Sequence, residues 1–62
     1  MRIVRCVKPI ATADCGHNYA AVWNGARWEI YGIENVHGEY MAKIECLVNI
    51  TDRMFERYFA VV

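Results

Sequence analysis

The chain has 62 residues, 56% of them hydrophobic, with seven basic and seven acidic side chains that cancel to a formal charge of zero. That length holds one domain and excludes a second, and the neutral balance supplies no long-range field toward phosphate backbones or anionic lipids. The longest apolar runs, such as Tyr19 to Trp23, are far too short to span a bilayer, and Met1 to Arg5 lacks the apolar centre of a signal peptide.

Arg2 to Val7 is β-branched and roughly alternating, and Pro9 cannot donate to a ladder, so the first strand ends there. Lys8 to His17 shows neither helical nor strand period and reads as a meandering loop, the kind of segment on which function often sits. Tyr19 to Trp23 and Ala26 to Tyr31 flank Asn24-Gly25, a pair suited to a two-residue type I′ turn. That turn would set Trp23 opposite Ala26, Ala21 opposite Trp28 and Tyr19 opposite Ile30. Two indoles and a phenol then share one face, and Ala20, Val22, Arg27, Glu29 and Tyr31 occupy the other.

Gly32 interrupts the third strand at a position suited to a bulge or sharp bend, and His37-Gly38 supplies a second turn. Glu39 to Val48 follows as a long strand whose even positions, Tyr40 through Val48, are expected to face inward. Thr51 or Asp52 can cap a short helical turn, after which Tyr58 to Val62 is rich in β-formers and would pair with the first strand. The fold expected is all-β: a small five-stranded SH3-like barrel with a short helical turn before the last strand. A β-meander packed on a C-terminal helix from Thr51 to about Phe59 is the alternative.

The stretches Gly16 to Val22, Asn24-Gly25, Trp28 to Gly32 and Arg57-Tyr58-Phe59-Ala60-Val61 together resemble small phage and prophage accessory proteins with an SH3-like barrel. The resemblance is one of residue types across most of the chain. It implies a fold and a genomic setting and transfers no functional residues.

Three cysteines, Cys6, Cys15 and Cys46, leave at least one thiol unpaired in any disulfide scheme, which fits a reducing, cytoplasmic location. With His17 they have the count of a Cys3His zinc site, yet structural zinc sites draw ligands in pairs two to four residues apart, and these do not. The set reads instead as two core thiols, Cys6 and Cys46, and a solvated loop pair, Cys15 and His17. Cys15 and His17 could form a thiolate and base, but a nucleophile also needs an oxyanion hole and a pocket; no phosphate loop or paired carboxylates appear either. The chain is read as non-enzymatic, with no cofactor.

Eight aromatic side chains exceed what so small a core encloses, so some should reach the surface. Trp23, Arg27, Tyr31 and His17 are the candidates for contact with a protein partner, given the aromatic and arginine content of binding hot spots. The function expected is a protein-interaction module, in the phage setting a modulator of a host protein. The alternative is a nucleic-acid-binding barrel using Arg2, Arg5, Arg53 and Arg57, against which the neutral charge counts. An uncovered strand edge or apolar patch would favour a homodimer.

Overall fold

The computed structural model describes all 62 residues, and its elements follow in the order β1 (Arg2–Cys6), β2 (Asn18–Trp23), β3 (Trp28–Val36), β4 (Glu39–Ile50), α1 (Asp52–Tyr58) and β5 (Phe59–Val61). The strands form one antiparallel sheet in the order β4-β3-β2-β1-β5. The last strand therefore returns beside the first and forms one edge of the sheet, with Val4 opposite Val61 and Cys6 opposite Phe59, as the apolar tail implied. β4 and β5 are not paired with each other, so the ladder remains open. No helix is long and apolar enough to cross a membrane.

Alternation along the strands delivers one apolar face. Val4, Cys6, Tyr19, Ala21, Ile30, Ile50, Phe55 and Phe59 pack together there, with Ala13 of the β1–β2 loop closing one side. The helix supplies Phe55. Thr51 caps it by accepting the Met54 N–H at 3.3 Å, and the C-terminal Phe59 N–H returns to the Phe55 carbonyl, so two short turns end directly in β5. The tail is thus both helix and strand, and the helix runs a turn longer than the single turn expected.

The β2–β3 hairpin corrects the expected register. Trp23 pairs with Trp28 and Ala21 with Ile30, so Asn24 to Arg27 form a four-residue loop in place of a two-residue turn. Asn24 causes it: its Oδ1 accepts the backbone N–H groups of Ala26 and Arg27 at 2.9 and 2.6 Å, an Asx-type closure that competes with the tighter turn. A shift of two residues preserves the faces, since side chains alternate with period two. The true two-residue turn is His37-Gly38, where both residues have positive φ, 52° and 83°, and the Asn35 carboxamide accepts the Gly38 N–H.

The β3–β4 ladder corrects a second expectation. Register shifts lie on either side of Tyr31, the second of them spanning Gly32, where a bulge was expected, but the surplus residues lie in β4: Ile30 pairs with Val48 and Tyr31 with Cys46, leaving Leu47 over, and Ile33 pairs with Ala42, leaving 43 to 45 opposite Gly32 alone. Simple alternation fails across that bulge. Tyr40, Ile44 and Cys46 are exposed, Val48 is half-buried against the core, and Ile50 is buried.

Ile30 is fully enclosed, so Ile30→Ala should cost about 2–5 kcal/mol, which for a domain this size is most of its stability. Thr51→Ala should cost about 1 kcal/mol through the lost cap. Urea titration followed by tryptophan fluorescence checks both.

Candidate functional site

The aromatic side chains on the core face form a continuous column. Tyr19 meets Phe59 edge to face at 6.2 Å, Phe59 stacks on Phe55 at 5.8 Å, Phe55 stacks on Trp28 at 4.1 Å with rings 14° from parallel, and Trp28 meets Trp23 at 5.4 Å. The column begins in the core and ends in solvent, because Trp23 closes β2 at the rim of the sheet and remains 47% exposed. Trp28 is fixed from both sides: its ring lies on Phe55, and its indole N–H donates to Asp52 Oδ1 at 2.8 Å. Asp52 opens α1, so the residue that orients the indole belongs to the element whose Phe55 supports it. Arg2, across the sheet from Ala21, joins Trp23, Trp28 and Asp52 around a shallow concavity of ≈ 360 Å³.

At the other end of β2 lies a polar cleft of ≈ 380 Å³ between the β1–β2 loop and the bulged part of β3 and β4. Asp14 and His17 line one wall, Lys43 and Glu45 the other. Tyr19 supports the loop by accepting the Asp14 N–H at 2.8 Å. Asn18 Oδ1 is buried here without a hydrogen-bond partner.

The residues chosen from sequence are dispersed over the molecule. Trp23 precedes the β2–β3 loop and Arg27 is its last residue, where the Arg27 N–H serves the Asn24 closure. Tyr31 projects from the opposite face beside Ala20, and its hydroxyl donates to Glu29 Oε1 at 2.9 Å, which holds its pKa above the usual phenol value. His17 lines the polar cleft. Among the basic residues Arg2 sits at the indole corner, Arg5 approaches Gly16 on the loop, and Arg53 and Arg57 are exposed on α1. Sequence reasoning missed Asp52 as the partner of Trp28; the helix-capping pattern was visible, but the indole contact depends on how α1 folds back.

The Cys3His set is not assembled, and no group of three or more histidine, cysteine or acidic side chains gathers at metal-binding distance. Cys6 is buried, donating to the Lys8 carbonyl at 2.8 Å, and burial pushes its thiol pKa up. Cys15 is exposed on the loop and Cys46 on β4, where a core position had been expected. Comparison with known proteins found no matching family model, curated relative or solved structure.

In the native protein a thiol reagent should modify Cys15 and Cys46 promptly and reach Cys6 only on unfolding; three equivalents at one fast rate would contradict the buried placement. Raised folded-state values at Cys6 and Tyr31 favour the protonated forms, so stability should hold below the unfolded-state values of about 9–10 and fall as pH rises through the folded-state ones. Urea midpoints across alkaline pH check the sign, and Cys6→Ala should flatten part of the slope.

Proposed function

We propose that the chain is a small protein-interaction module that presents Trp23, Trp28 and Arg2 on the rim of an SH3-like open barrel to an extended peptide segment of a partner. The fold reading is supported by the strand order, with the last strand returned beside the first, and by the short helix immediately before it. The observation that carries the function is Trp23 itself. Nearly half its surface lies in water, although its indole is braced by a second, immobilised indole.

Such a side chain loses little conformational entropy when a partner covers it, and it combines apolar area with a hydrogen-bond donor. Arg2 alongside adds a cation able to take a backbone carbonyl or carboxylate of the partner. A modulator of a host protein, the role that the phage-type resemblance suggests, would use a surface of this kind. Of the four arginines of the nucleic-acid alternative, Arg2 alone lines the concavity of the two indoles, and it does so beside the acidic Asp52, which favours the protein reading.

Peptide-display selection on the immobilised protein tests this. Selected peptides should share an apolar anchor and should bind Trp23→Ala at least tenfold more weakly, about 1.4 kcal/mol, while Arg27→Ala retains them. Failure to enrich any sequence, or peptides indifferent to Trp23→Ala, would overturn the reading; salt-dependent capture of short oligonucleotides would replace it with the other.

A further inference from the structure

The β4 edge has a property separate from the indole corner. Between Ala42 and Cys46 the strand spends four residue steps where β3 spends two, from Ile33 to Tyr31. An extended strand advances about 3.4 Å per residue, so the surplus must bow out of the ladder. Ile44 sits at the crest of that bow and is completely exposed, flanked by the charged pair Lys43 and Glu45. β4 is one of the two edge strands of the sheet and much the longer, and only Gly32 stands opposite residues 43 to 45 on its inner side. With Tyr40 and Met41 also at least half exposed just before it, Ile44 belongs to an apolar run along an unpaired strand edge, which a second strand would cover.

The sequence of this segment specifies which strand. When an edge pairs antiparallel with its own copy about a two-fold axis normal to the sheet, residue i faces a partner of the same parity, so only a few registers are open. Centring the axis on Ala42 sets Glu39 against Glu45, and centring it on Lys43 or Glu45 sets two like charges together; centring it on Met41 pairs only residues 39 to 43, because the strand begins at Glu39, and centring it on Cys46 sets the Glu45 carboxylate against Leu47. Centring it on Ile44 sets Lys43 against Glu45 twice by symmetry, Ile44 against Ile44, Ala42 against Cys46 and Met41 against Leu47. That register matches charge and apolar character at every position from 41 to 47.

We propose that β4 is a self-association edge, and that two copies of this chain pair antiparallel through residues 41 to 47 with the two-fold axis at Ile44. The occupant is a second copy because the complementarity is internal to one seven-residue segment. Trp23 lies on the far side of β3 from this edge, so the dimer would leave the indole corner open and present two of them.

The test is a charge exchange read by sedimentation equilibrium from micromolar to millimolar protein at low salt. Wild-type protein should approach the dimer mass with rising concentration. Lys43→Glu or Glu45→Lys alone sets like charges opposite each other twice and should weaken self-association at least tenfold. An equimolar mixture of the two variants restores opposite charges at both sites and should recover the dimer as a heterodimer. Circular dichroism of each variant should match wild type, because both side chains are exposed. Wild-type protein that stays monomeric at millimolar concentration would overturn the proposal and identify the bow as a device that blocks edge pairing. A dimer whose affinity is unchanged in the single variants, or a mixture that associates no better than either variant alone, would overturn it as well.

Discussion

The structure depends on the stacking of Phe55 on Trp28. A chain of this length encloses few side chains completely, and no disulfide ties its ends together. The helix is only two turns long and would not persist alone. What holds it is one ring laid almost flat on an indole, with the same indole bonded to the first residue of the helix. With the helix anchored there, Phe59 emerges beside Phe55 and enters the sheet opposite Cys6, so the last strand follows from the same contact. Aromatic pairs contribute about 0.5–1.5 kcal/mol beyond the area they bury, and a column of four such contacts is a substantial fraction of the stability of so small a domain.

The column also links fold to surface. Its inner members are core and its outermost member, Trp23, is half in water, yet one set of contacts fixes them all. A binding residue supported in this way is pre-organised without a separate scaffold, an economy suited to a chain with little interior to spare. The polar cleft at the other end of β2 has a different character, with charged walls and a loop held by the Tyr19 hydroxyl.

Much of the architecture was legible in the residues because burial patterns are local. The strand at Arg2, the break at Gly32, the turn at His37-Gly38, the cap at Thr51 and the return of the tail to the first strand can each be read from a few neighbours. The exact hairpin register was not legible, because Asn24 can either occupy a tight turn or close a wider loop with its side chain, and the sequence Asn-Gly suits both. The facing of β4 was hidden for a different reason. Alternation predicts orientation only while the ladder stays in register, and the single surplus residue Leu47 breaks it by flipping the facing of the residues before it, so Cys46 shares the outer face of Tyr31, while 43 to 45 bow outward with Ile44 at their centre. At the candidate site, Trp23 could be singled out from its place at a turn, whereas its grouping with Arg2 and Asp52 arises from the sheet order and the helix docking. Tyr31 and His17 were separated from it by the opposite face and the opposite end of the same hairpin.

A double-mutant cycle on Trp28 and Phe55, each replaced by Leu so that burial is largely kept, tests the central claim most directly. Urea unfolding of the four proteins should give a coupling of about 1 kcal/mol between the two positions. Additive losses within about 0.3 kcal/mol would show that the two rings contribute independently, and the account of the helix and last strand as held by that contact would be wrong.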